Sequence, residues 1–214
     1  MKERKSIFFT SDLHLDHENV IQFDNRPFKD VNHMNETIIN NINNTVRDGL
    51  LYILGDFGMT NAERMKQIVS RITGTKVLIL GNHDKNTYSM YNAGFDVVLN
   101  SAIIYIGKHR VSMSHCPLPG IFREDVTNMK GAKPGEMWHG EYKNQMFTSQ
   151  DMTVDFHLSG HIHSNPYNNT PKFTDRQYDV GVSANNFKPV SISQIESWIA
   201  NVLKKKNENK TFKD

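Results

Sequence analysis

The first apolar residues of this chain come in short unbroken runs. Residues 6–11 (SIFFTS), 50–54 (LLYIL) and 76–80 (KVLIL) are β-favouring and too short for helices, so they predict buried strands. Between them the spacing changes. Val31, Met34, Ile38, Ile39, Ile42 and Val46 recur at helical intervals and predict a helix over 31–46, ended by Asp48-Gly49. Asn61 caps a second helix, whose Met65, Ile68, Val69 and Ile72 form one face before Gly74. The alternation of strand and helix is that of an α/β layered domain.

Beyond residue 80 helical spacing becomes scarce. Residues 97–99, 102–106 and 111–115 predict strands, with Gly107-Lys108 turning the last two into a hairpin, so a second sheet is expected. Residues 155–159, 177–182 and 190–193 predict further strands. Ser193 and Glu196 have capping-box spacing for a final helix with Ile195, Trp198, Ile199, Val202 and Leu203 on its apolar face. Residues 117–153 show no sustained period and are expected to form a long loop, either functional, as a candidate lid, or disordered. The expected organisation is one domain over 1–203 and a basic polar tail over 204–214 that frays.

Composition narrows the class. The 214 residues include 37% hydrophobic and 22% charged positions, with 13 Gly and 7 Pro, which excludes collagen-like and low-complexity chains. The net charge is +2, and residues 204–214 hold five lysines against two acids, so the remainder carries −1. That balance argues against a general nucleic-acid or membrane binder, and no stable nucleic-acid partner is expected. Cys116 is the only cysteine, so the fold stands without an internal disulfide. A lone thiol and a charged residue 1–5 stretch, followed by only three apolar residues, suit a cytoplasmic protein.

Chemistry-bearing residues follow the apolar runs. Asp12-Leu13-His14, Gly55-Asp56, Gly81-Asn82-His83-Asp84, His115 and Gly160-His161-Ile162-His163 each come directly after a predicted strand, where α/β sheets place their sites. Residues i and i+2 of an extended chain point the same way, which brings Asp12 together with His14 and His161 together with His163. The imidazoles, carboxylates and amide form a mixed nitrogen and oxygen set suited to divalent transition metals. The candidates exceed what one tetrahedral ion takes, so two ions fit better, with Asp56 the natural bridge. Glycines 55, 81 and 160 permit close approach of backbone to the site. The same extended-chain geometry turns Cys116 away from the metals and into packing.

In their order along the chain, these groups resemble the motifs of the calcineurin-like metallophosphoesterase superfamily: D-x-H, G-D, G-N-H-[DE], an isolated H and G-H-x-H. The resemblance spans Asp12 to His163. Through Ser11-Asp12-x-His14-x-x-His17-x-Asn19 and Arg26-Pro27-Phe28 it is nearest to small single-domain bacterial and phage members. It implies a four-layer αββα sandwich of two mixed β-sheets flanked by helices. It also implies one metal held by Asp12, His14, Asp56 and His163 and a second held by Asp56, Asn82, His115 and His161. His83 then resembles the catalytic histidine that is not a ligand, supported by Asp84. The implied cofactors are two divalent ions, Mn²⁺ by expectation, with Fe, Ni²⁺ and Zn²⁺ suited to the same ligands.

The activity so implied is hydrolysis of a small phosphodiester, nucleotide-like or otherwise. A metal-bridging hydroxide would attack phosphorus in line while His83 supplies the leaving group's proton. His17, in the same loop as Asp12, and Arg26, as a fork on phosphate, are candidate substrate contacts. A phosphomonoesterase and a non-catalytic scaffold of the same fold that binds a protein partner are the alternatives. The segment after Asp56, Phe57-Gly58-Met59-Thr60, lacks the further Asp-Arg-Gly of the protein serine/threonine phosphatase branch.

Overall fold

A computed structural model describes residues 6–118, 154–165, 172 and 176–211. Residues 119–153 of the candidate lid lie outside the described residues. In chain order the elements are β1 (Ile7–Thr10), α1 (Asn19–Phe23), α2 (Val31–Val46), β2 (Leu50–Leu54), α3 (Ala62–Ser70), β3 (Thr75–Ile79), α4 (Thr87–Asn92), β4 (Val97–Leu99), β5 (Ala102–Ile106), β6 (His109–Met113), β7 (Phe156–Ser159), β8 (Gln177–Asp179), β9 (Val190–Ser191) and α5 (Ile192–Thr211).

The strands form two mixed sheets, one in the order β4-β3-β2-β1-β9 and the other in the order β5-β6-β7-β8. In the first, β1 to β4 run parallel, with Ile53 registered on Thr10 and Leu78, and β9 closes the edge antiparallel to β1. In the second, the predicted β5–β6 hairpin is antiparallel, while β6, β7 and β8 run parallel. The unbroken apolar run of β2 follows from burial on both faces. Leu51 and Ile53 meet Met34, Ile38 and Ile42 of α2 and Met65, Ile68 and Val69 of α3. On the other face Leu54 joins Phe9, Ile79, Val111, Met113 and Leu158 between the sheets, where α5 inserts Ile195, Trp198, Ile199 and Val202. This is an α/β architecture of two mixed sheets with flanking helices.

Helix starts follow from side-chain caps. Asp30 accepts the His33 N–H at 2.7 Å and Asn61 the Arg64 N–H at 2.9 Å. The capping box of the last helix sits two residues earlier than the sequence spacing suggests. Ser191 Oγ accepts from the Gln194 N–H at 3.3 Å, and Gln194 Oε1 accepts from the Ser191 N–H at 2.8 Å. That helix also continues to Thr211, through the residues expected to fray. Lysine and glutamate are good helix formers, and Lys204 lies 4.0 Å from Glu208 at i,i+4 spacing. The short helices α1 and α4 carry too few turns to leave a periodic signal.

Candidate metal centre

The parallel strands β1 and β2 deliver their C-terminal loops side by side. The loops are stitched together by backbone bonds from the Asp12 N–H to the Gly55 carbonyl at 3.1 Å and from the His14 N–H to the Asp56 carbonyl at 3.0 Å. Here the backbone departs from the extended form on which the i, i+2 expectation rested. Asp12, His14, Asp56, His161 and His163 all have positive φ, between 45° and 69°. Each such non-glycine residue costs on the order of 1–3 kcal/mol and persists only where its surroundings over-determine it. The paired side chains converge because left-handed residues alternate with ordinary ones, turning the chain tightly around one point. Gly160 has the same origin: a Cβ there would collide with the Ser11 hydroxyl and the Asp12 carboxylate.

Asp12, His14, Asp56 and His163 bring one donor atom each to within 4.8 Å of one another. His14 Nε2 lies 3.2 Å from His163 Nε2 and 3.6 Å from Asp56 Oδ2, and His163 Nε2 lies 3.4 Å from Asp12 Oδ1. Beside this cluster, His115 Nε2 lies 2.8 Å from Asn82 Oδ1, 3.2 Å from His161 Nδ1 and 3.3 Å from the same Asp56 Oδ2. The structure therefore brings all seven candidate ligands into two groups that share Asp56.

The donor chemistry fits cations. His115 Nδ1 lies 2.8 Å from the Leu54 carbonyl, which can only accept, so the proton is on Nδ1 and the lone pair on Nε2. That lone pair faces a carboxylate oxygen and an amide oxygen. His163 is arranged in the same way, its Nδ1 2.8 Å from both oxygens of Asp24 and its Nε2 toward Asp12 and His14. Converging acceptors of this kind require a cation or extra protons between them. Where protons do the work, burial works against them at His115 and His163. Asp56 and Asp12 nonetheless raise His115 to about 9, and Asp12 and Asp24 raise His163 to about 10. Burial with the His163 charge pushes His14 down to about 3, and burial with the His115 charge pushes His161 down to about 4. Burial alone would raise Asp12, but the surrounding imidazoles hold it well below the usual carboxylate range.

The other candidates lie around these groups. Asp84 accepts three backbone N–H groups, from Asp56 at 2.9 Å, Phe57 at 3.0 Å and Gly81 at 2.8 Å. His83 is exposed, with its ring centre 5.6 Å from that of His14 and its N–H on Asp56 Oδ1 at 3.0 Å. The His17 ring lies 5.4 Å from that of His14 and 6.3 Å from the exposed ring of Phe23. Arg26 does not have the placement of a phosphate fork. It is 4% exposed, and its five N–H groups are taken up by Asp24 Oδ2 twice, the carbonyls of Asp12 and Leu13, and Met34 Sδ. Cys116 is fully buried, as expected, but it does not face away from the site. Its thiol lies within 4.8 Å of ring nitrogens of His115 and His161, because residues 114–118 are not a strand. The sequence reading missed Asp24, whose only signal is its position two residues before the Arg26-Pro27-Phe28 run.

Fold and site together define a two-sheet α/β protein with a double donor cluster at the ends of its parallel strands, resembling calcineurin-like metallophosphoesterases in motif order and architecture. No protein-family model matches the chain. An uncharacterized protein of Methanocaldococcus jannaschii is 28% identical over 200 residues, covering 91% of this chain and 92% of that protein. A protein of unknown function from Aquifex aeolicus has a crystal structure that superposes with a TM-score of 0.69 at 25% identity, over 92% of this chain and 100% of that one. An archaeal phosphodiesterase structure matches at a TM-score of 0.42 and 11% identity, over 82% of each chain. No helix among the described residues is long and apolar enough to cross a membrane.

Proposed function

We propose that this chain is a metal-dependent phosphoric ester hydrolase that acts on a small phosphodiester, with a nucleotide-like substrate favoured and a phosphomonoester as the alternative. The observation that carries this reading is the position of Asp56 Oδ2, 3.6 Å from His14 Nε2 and 3.3 Å from His115 Nε2, common to both donor groups. Two divalent ions held there, Mn²⁺ by expectation, would supply positive charge to phosphoryl oxygens and lower the pKa of a water.

The chain's own residues supply the rest. His83 stands outside both donor groups, is exposed, and has its ring 5.6 Å from that of His14, which supports reading its imidazole as the group that gives the leaving oxygen a proton. Asp84 fixes the loop that carries it. The His17 ring, 5.4 Å from that of His14, is the further candidate for a substrate contact. The lone thiol supports a cytoplasmic setting, and the near-neutral charge supports a small substrate over a membrane or nucleic-acid partner.

The test is hydrolysis of bis-p-nitrophenyl phosphate by chelator-treated protein, with and without Mn²⁺. Turnover that depends on metal is expected. Protein that carries two ions per chain by elemental analysis, yet leaves every phosphodiester and phosphomonoester in a panel intact, would be a scaffold, and the proposal would fall. Cyclic nucleotides and nucleoside monophosphates in the same panel separate the two ester classes.

A further inference from the structure

A buried ion pair that belongs to neither donor group lies against the first of them. Asp24 is 8% exposed and Arg26 is 4% exposed, and they meet through Arg26 Nε at 3.1 Å and Nη2 at 2.9 Å on Asp24 Oδ2. Each partner has a second duty. Both Asp24 oxygens lie 2.8 Å from His163 Nδ1, and Ser183 Oγ donates to Oδ2 at 3.1 Å. Arg26 Nη2 donates to the Asp12 carbonyl at 2.9 Å and Nη1 to the Leu13 carbonyl at 3.1 Å.

Those two carbonyls belong to the turn whose residues Asp12 and His14 have φ of 56° and 49°. So tight a turn takes its carbonyls out of the sheet ladder, and buried carbonyls need a donor. The guanidinium reaches both carbonyls while its Nε and Nη2 also hold Asp24, a set of directed contacts that exceeds the three donors of an ammonium.

We propose that Asp24 and Arg26 form the positioning pair of the first metal group. Asp24 sets the ring and tautomer of His163, and Arg26 sets the turn that carries Asp12 and His14. The pair joins ligands that lie 149 residues apart in the chain, His14 and His163, through one buried contact. It bears directly on His163 and on the turn of Asp12 and His14, and it reaches the second group only through Asp12, whose carboxylate accepts the His161 N–H. The inference depends on the metal-binding part of the proposed function and not on turnover.

The test is Mn²⁺ titration of Asp24→Asn and Arg26→Lys, followed by calorimetry and electron paramagnetic resonance, with circular dichroism of metal-free protein as the check on folding. The wild type is expected to fill two sites and show an exchange-coupled pair. In each variant one site weakens by roughly 10- to 100-fold while the other is unchanged, so the coupled signal gives way to that of a single ion. Ser183→Ala, which removes only a neutral donor to Asp24, should change neither site by more than about threefold.

Two full-affinity sites in Asp24→Asn, or equal weakening of both, would overturn the proposal. Where a variant does not fold, Zn²⁺-loaded wild type answers by nitrogen NMR. A solvent-protected proton on His163 Nδ1 is expected, and its presence on Nε2 would overturn the proposal. A wild type that binds no ion overturns this inference and the proposed function together. A wild type that holds two ions without hydrolysing esters overturns only the latter.

Discussion

Asp84 holds Asp56 by its backbone. One carboxylate oxygen of Asp84 accepts the Asp56 N–H at 2.9 Å and the Gly81 N–H at 2.8 Å, and the other accepts the Phe57 N–H at 3.0 Å. The loops after β2 and β3 are thereby fastened together, and the shared carboxylate of Asp56 is set between the two groups of histidines. These contacts of Asp84 go to backbone N–H groups, so in the proposed reaction it is a positioning residue.

Asp84→Ala leaves those three N–H groups without their acceptor. Each buried donor so orphaned costs about 1–3 kcal/mol, so a total loss of roughly 2–5 kcal/mol is expected from urea unfolding of metal-free protein, allowing for partial entry of water. Mn²⁺ affinity should fall at both sites together, because Asp56 serves both. This pattern is opposite to the single-site loss expected for Asp24→Asn, so calorimetry on the two variants side by side distinguishes the two supports.

His83 makes a contrasting prediction. Its side chain is not part of either donor group, and its link to Asp56 is through the backbone N–H, which alanine retains. His83→Ala should therefore keep two metals per chain by elemental analysis while kcat falls by about 10²- to 10⁴-fold. Unchanged kcat would remove His83 from the reaction. Loss of one metal would instead make it a ligand.

Much of this was legible in the sequence because it rests on local patterns. The six apolar positions from Val31 to Val46 define α2 to the residue, and the runs that became β1, β2 and β3 end where the ligands begin. The ligand set was legible because motif order survives folding. Roles that depend on long-range partners were not. Arg26 looks like a surface phosphate fork until Asp24, Asp12 and Leu13 are seen around it, and nothing local marks Asp24 as the partner of His163, 139 residues away. The left-handed conformations of Asp12, His14 and Asp56 were also hidden, since such residues are held by tertiary contacts against their own preference.

Gly160 tests how tightly the strand ends are packed. Its Cα faces the Ser11 hydroxyl and the Asp12 carboxylate, and the next residue donates its N–H to both oxygens of Asp12 at 3.1 and 3.0 Å. Gly160→Ala places a methyl group where those oxygens are, and neither can retreat: Ser11 Oγ is bonded to the Leu54 carbonyl at 2.7 Å. The expected result is a loss of several kcal/mol, on the order of the 1–3 kcal/mol of an overpacked core site plus that of a broken hydrogen bond. Gly107→Ala is the comparison, since no atom lies within 4 Å of a Cβ there, although its φ of 59° still carries a cost of about 1 kcal/mol. Equal melting temperatures for the two variants would show that the contact at Gly160 yields.

Away from the donor groups, a further histidine contributes to the loss of stability in acid. His157 on β7 is 1% exposed, with Nε2 3.2 Å from the Cys116 carbonyl and Nδ1 2.7 Å from Ser112 Oγ. The carbonyl fixes the proton on Nε2, so Nδ1 accepts from the hydroxyl and the neutral ring is satisfied at both nitrogens. Burial is the larger influence and pushes the group down to about 4 from 6.5, against the opposing pull of the Cys116 carbonyl. The unfolded chain then binds a proton between pH 6.5 and 4 that the folded chain refuses. The stability this histidine contributes is complete above about 6.5 and is lost as pH falls toward 4, by about 3 kcal/mol in all. Urea unfolding of metal-free wild type and His157→Gln at pH 7.5, 5.5 and 4.5 checks the sign. The variant starts less stable, because the glutamine fits the Ser112 and Cys116 contacts less well, and its stability declines less steeply than that of the wild type. Parallel declines would mean that His157 takes up its proton without unfolding the protein.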